Sequence, residues 1–221
     1  MKTLFKVLLS LLLLSICSLL LYLNLRLYAS PTFEESEGQA INQDLFYQFN
    51  FLKQALHQGA GKEMQQVYPE GFVFMHALYG LNWCDVADKI SKERPLYKEA
   101  TEEIAWANDQ VHSNEGKLPF DHALFPAYGA FYAGWSNYLL GRKLAVLLPA
   151  TRDSTDIGIF RATCENIATA IRHSNQPFLA SYRESIWPAD IALYCAWLPW
   201  RSTTGYGLPG TSKLSVTGYS R

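Results

Sequence analysis

Three stretches of this chain restart the same pattern at intervals of 57 residues. Tyr68-Pro69-Glu70-Gly71-Phe72 opens the first, Phe125-Pro126-Ala127-Tyr128-Gly129 the second and Tyr182-Arg183-Glu184-Ser185-Ile186 the third. Each opening leads into a long, aromatic-rich run with few charges. A period this long, with a second helical pattern inside each interval, is the signature of stacked helical hairpins. In a ring of such hairpins the inner helices start at one mouth, where a site can form.

The two helices of each unit differ in character. The first inner helix is expected from Pro69, a tolerated first-turn proline, to about Ser91, and the second from about Ala127 to Leu148. Gly71 to Cys84 and Ala127 to Gly141 contain no Lys, Arg, Asp or Glu. A helix that is apolar all round is surrounded by protein or lipid. The partner helices are expected from Pro95 to His112 and from Asp156 to His173. In the first, Leu96, Ala100, Ile104, Ala107 and Val111 form one stripe, while Lys98, Glu99, Glu102 and Glu103 face elsewhere, on a wet side. A third inner helix is expected from Trp187 to Trp197. The fold class is therefore all-α, a partial (α/α) toroid of about three hairpins. An ordinary helical bundle with buried central helices is the alternative. Further membrane spans fit less well, because His76, Asn82, Asn137 and Arg142 interrupt the apolar runs.

Ahead of the repeats, Val7 to Leu23 is uncharged and almost wholly apolar, close to the ~20 residues that cross a bilayer. Lys2 and Lys6 precede it, and Glu34, Glu35 and Glu37 follow. The positive-inside rule then places the N-terminus in the cytoplasm. Leu27-Tyr28-Ala29 is a poor cleavage site, so an uncleaved anchor is expected in place of a signal peptide. The expected organisation is an anchor over residues 1–28, contacting lipid through 7–28, a polar linker over 29–40, a helical domain over 41–198 and an irregular tail over 199–221. An amphipathic helix is expected over Ile41 to Gln58. No acidic residue follows Asp190, and Gly, Ser and Thr dominate after Arg201. The third unit lacks its outer helix, which points to a truncated or frame-shifted chain.

With 19 Lys and Arg against 20 Asp and Glu, nothing draws the chain to nucleic acid. Cys84, Cys164 and Cys195 are widely spaced and read as buried thiols, with one disulfide as the alternative. No GxSxG, P-loop, HExxH or Rossmann fingerprint occurs, and the five histidines lack ligand spacing, so neither cofactor nor metal is expected.

The repeat register selects the candidate chemistry. Glu70 and Glu184 lie two periods apart, which puts both carboxylates at the mouth, where a pair can do acid–base work or glycoside hydrolysis. Each could equally cap its helix. His76 and Asp190 share another register, and Asp190 is the sole carboxylate between Ile186 and Leu198. A buried carboxylate needs a partner or a role. His76 reads equally as a satisfied core histidine. Tyr128, Tyr132, Trp135 and Tyr138 have helical spacing, suiting core packing or the wall of a cavity for a hydroxylated ligand. Trp187 would join such a wall at the third opening. Asp121-His122 precedes the second opening in a loop.

FVFMHALYGLNWCDVA, GAFYAGWSNYLLGRKLA and SYRESIWPADIALYCAWL resemble successive inner helices of the linalool dehydratase/isomerase-like α/α-barrel family, and most of all its membrane-anchored bacterial members. The resemblance covers residues 42–198, about half of a complete barrel domain. It implies a six-hairpin toroid with a site at the inner-helix mouth, in a protein of the bacterial inner membrane with a periplasmic domain. Tyr79 falls near an aromatic pocket position. Trp135 stands where the family has a histidine and Ala189 where it has a pocket cysteine, so dehydratase chemistry does not carry over. Related toroids serve lyases and glycosidases. The resulting expectation is an enzyme or enzyme remnant acting on a small hydroxylated or carbohydrate-like ligand. The alternatives are a non-catalytic, membrane-tethered binding or envelope-assembly protein and a non-functional fragment.

Overall fold

The computed structural model describes residues 2–27, 33–36, 39–176, 178–182 and 185–186. The third expected inner helix, the tail, Cys195 and the candidates Glu184, Trp187 and Asp190 lie outside the described residues. The chain divides into two compact units, Met1–Lys53 and Gln54–Arg221.

The first unit opens with α1, Lys2–Leu27. Its stretch Thr3–Arg26 has a mean hydropathy of 2.5. At about 1.5 Å per residue it is long and apolar enough to cross a membrane. The polar segment that follows holds a two-stranded antiparallel ribbon of β1 (Phe33–Ser36) and β2 (Gln39–Asn42). The next helix, α2, spans Gln43–His57. It begins at Gln43, later than the spacing predicts, because Ile41 and Asn42 pair with Glu34 and Phe33.

The second unit contains α3 (Ala60–Val67), α4 (Gly71–Lys89), α5 (Pro95–His112), the single turn α6 (Asn114–Lys117), α7 (Gly129–Val146) and α8 (Ser154–His173). Local chemistry sets several ends. Pro95 opens α5 in its first turn, where a missing N–H costs nothing. Asp153 caps α8, accepting from the backbone N–H of Thr155 at 2.6 Å and of Asp156 at 3.2 Å. The Thr155 bond holds the Asp153 carboxyl below its ordinary range. Pro69 precedes α4 and is not in its first turn; Glu70 is the capping residue.

Hairpin pairing follows from contacts at both ends of the helices. Tyr79 reaches Glu103 while His76 lies against Trp106, so α4 and α5 run antiparallel. A Cβ on Gly141 would meet Phe160, and Asn137 Nδ2 donates to Cys164 Sγ at 3.3 Å, so α7 and α8 are antiparallel too. Between hairpins, Phe74 meets Trp135 and Arg142 binds Asp85, which sets α4 parallel to α7. Helix α5 also crosses to the second hairpin at both ends. Tyr97 Oη donates to the Val146 carbonyl at 2.7 Å, and Tyr132 Oη to the Val111 carbonyl at 3.2 Å.

The repeat register survives in the packing. Gly80 lies against Ala107 in the first hairpin, and Asn137 against Cys164 in the second, each one period on. Ala130, Ala133, Leu140 and Leu144 of α7 form a core with Phe160, Cys164, Ile167 and Ala170 of α8. Cys84 and Cys164 are buried free thiols, and burial pushes the Cys84 thiol up to about 12.

Two expectations need correction. Helix α4 is not enclosed all round: Phe74 and Leu78 are 39% and 36% exposed, and Asn82 and Asp85 continue that face into solvent. Glu103 does not lie on the wet side of α5 but is 6% exposed. It sits three residues from Ala100 and four from Ala107, and so belongs to their stripe.

Candidate functional site

The starts of α4 and α7 meet the opening of the third unit. The Tyr182 hydroxyl donates to Glu70 Oε2 at 2.9 Å, and both residues are half-buried. Ala180 and Ser181 lead up to this contact along the start of α7. The Ala130 N–H donates to the Ala180 carbonyl at 2.8 Å. Gly129, at φ +83°, lies so close to the Ser181 carbonyl that a Cβ there would collide with it. Tyr128 also adopts a left-handed backbone, at φ +66°, which costs a non-glycine residue roughly 1–2 kcal/mol.

Aromatic rings pack beside Tyr182. Tyr182 packs edge-on against Phe120 and Phe131, each at 5.8 Å between centroids. Phe120 also meets Tyr132 at 5.3 Å, and Tyr132 meets Tyr128 at 5.2 Å. Lys117 Nζ stands 5.9 Å above the Tyr128 ring, at the outer limit of a cation–π contact. Trp135 continues the wall to Phe74 on α4, edge to face at 5.2 Å. Burial raises the Tyr132 phenol well above its ordinary value, so it remains a neutral donor. Beside this mouth, an open groove of about 710 Å³ runs between α3 and α6, lined by Lys62, Gln65, Val67, Pro69, Leu118 and Pro119 among others. Gln65 Nε2 ties its two walls by donating to the Glu115 carbonyl at 3.2 Å.

Glu70, Tyr128, Tyr132 and Trp135 are thus brought toward the starts of α4 and α7. His76 and Tyr79 belong to a second cluster. His76 is 2% exposed, its Nδ1 lies 2.7 Å from the Phe72 carbonyl and its ring packs on Phe72 and Trp106. Desolvation lowers its pKa, opposed by the Phe72 bond. Tyr79 Oη donates to Glu103 Oε2 at 2.9 Å, and His57 Nε2 lies 3.1 Å from the same oxygen. His57 stacks on Trp106 with centroids 3.8 Å apart. Burial is the chief cause that raises the Tyr79 phenol. Asp121 and His122 remain on the surface as a 3.7 Å pair.

Sequence reasoning missed Tyr182, Phe120 and Phe131 at the mouth and His57, Glu103 and Trp106 in the second cluster. Tyr182 carried a signal, since it repeats Tyr68 two periods later. Among the described residues no three His, Cys, Asp or Glu converge as a metal site. No family model, curated protein or solved structure matches the chain.

Proposed function

We propose that this is a membrane-anchored protein whose helical domain receives a small hydroxylated, carbohydrate-like ligand at the Glu70–Tyr182 mouth, with Glu70 as its acid–base group. The anchor is α1, crossing a bacterial inner membrane once, with the N-terminus cytoplasmic and the helical domain periplasmic. The hairpins curve as in an (α/α) toroid. One observation carries the ligand reading: a half-buried carboxylate bonded at 2.9 Å to a phenol that itself packs edge-on against Phe120 and Phe131. Carboxylates that accept sugar hydroxyls beside aromatic faces combine polar orientation with apolar stacking.

The burial of His76 favours a second reading, in which the mouth binds without turnover. The described partner of Glu70 is then the Tyr182 hydroxyl and not His76. Both readings are tested by titrating full-length protein in nanodiscs with a panel of neutral mono- and disaccharides and acyclic polyols, and assaying each for turnover. Binding that Glu70→Gln weakens at least tenfold supports the ligand site, and turnover separates the first reading from the second. No binding to any panel member, or binding indifferent to Glu70→Gln, removes both.

A further inference from the structure

Helix α4 presents Phe74, Leu78, Leu81 and Asp85 along one side, at steps of four, three and four residues. Helix α7 repeats the steps one period later with Phe131, Trp135, Tyr138 and Arg142. The two helices run parallel, and the Phe74–Trp135 contact and the Arg142–Asp85 bond close their seam at opposite ends. Along this strip Phe74 and Leu78 are exposed and Leu81 and Trp135 half-exposed, while Phe131 is buried and Tyr138 packs partly against the α7–α8 core. Contiguous apolar surface of this kind marks a contact.

We propose that residues 187–198 of this same chain, WPADIALYCAWL, cover the strip. Three observations favour that occupant. The chain is led to the strip: the Ala180–Ala130 and Tyr182–Glu70 bonds hold it at the starts of α7 and α4, and Tyr182 packs on Phe131, the strip's first aromatic on α7. Residue 187 follows five positions later. The length matches: residues 187–198 and Phe74 to Asp85 are each twelve residues long. The pattern matches as well, since Trp187, Ile191, Tyr194 and Leu198 recur at steps of four, three and four. The segment has one carboxylate, Asp190, and no basic residue. The inference does not depend on any ligand at the mouth.

The test is photo-crosslinking of the full-length protein in nanodiscs, with p-benzoylphenylalanine introduced at position 78 and, separately, at position 81. The expected product runs as a monomer, maps by mass spectrometry to the tryptic peptide between Arg183 and Arg201, and is lost when the chain stops after Ile186. Only variants that melt within a few degrees of the parent are scored, and two exposed or half-exposed positions guard against one misfolding. A dimeric product would show that a second copy covers the strip. A lipid adduct would show that it faces the bilayer, and crosslinks confined to other peptides would assign another segment. Each of these three outcomes overturns the proposal and leaves the reading of Glu70 untouched.

Discussion

Tyr182 and Glu70 are joined by a hydrogen bond of 2.9 Å across 112 residues of chain. Hydrogen bonds to charged acceptors contribute about 1.5–3 kcal/mol, and partial exposure of both groups places this one at or below the low end. Tyr182→Phe and Glu70→Gln should each lower stability by about 1 kcal/mol. The double variant should lose less than the sum, with a coupling energy of about 1 kcal/mol in a denaturant double-mutant cycle. Strict additivity would mean that the bond does not persist in solution.

Gly129 and Gly158 should respond to alanine in opposite directions. At Gly129 a Cβ meets the Ser181 carbonyl from a backbone at φ +83°. The strain alone is about 1–2 kcal/mol, and relieving the collision must displace Ser181. Gly158 lies within α8 with nothing in a new Cβ's way, so Gly158→Ala should gain about 0.5–1 kcal/mol from helix propensity. Urea melts of the two variants check both signs.

Glu103 anchors the second cluster. It is buried, and one of its oxygens is shared by Tyr79 and His57. Glu103→Ala should cost about 1–3 kcal/mol, because it strands the buried Tyr79 hydroxyl. Glu102→Ala, one residue away, removes only an exposed pair with Lys98 and should cost less than about 0.5 kcal/mol. Similar losses at both positions in thermal denaturation would contradict the burial of Glu103.

Acid should weaken the fold through two histidines. Desolvation lowers the pKa of both His76 and His112 from 6.5, opposed by bonds to the Phe72 and Asn108 carbonyls. Below pH 6.5 the unfolded chain takes up protons that the folded chain refuses, so their contribution is complete above 6.5 and falls as pH drops toward the lowered values. The melting temperature should therefore decline between pH 6.5 and 5. The decline should be shallower in a His76→Gln, His112→Gln double variant than in the parent.

The hairpins were legible because their signals are local. Pro95 starts α5 where the spacing predicts, and the apolar runs locate α4 and α7 to within a few residues. The face of each helix was less legible. Glu103 reads as one of four charges in a row until its angular position beside Ala100 and Ala107 is counted. Openness on α4 could not be read at all, because an uncharged helix looks the same whether or not a neighbour covers Phe74 and Leu78. The mouth was half legible. Repeat register selected Glu70, but its partner is Tyr182, brought there by the chain passing over Gly129. His57 and Trp106 belong to different helices, and no spacing connects them.

The bond from Arg142 to Asp85 joins the same repeat position in neighbouring units, 57 residues apart. Arg142 is only 19% exposed at its side chain and also reaches Asp88 at 2.8 Å. Identical copies placed side by side could not make this bond, because they would set carboxylate against carboxylate or guanidinium against guanidinium. The two hairpins are therefore not interchangeable parts. Opposite charge at one shared position gives the array an order, and a duplicated first unit inserted in the place of the second would be rejected by its neighbour.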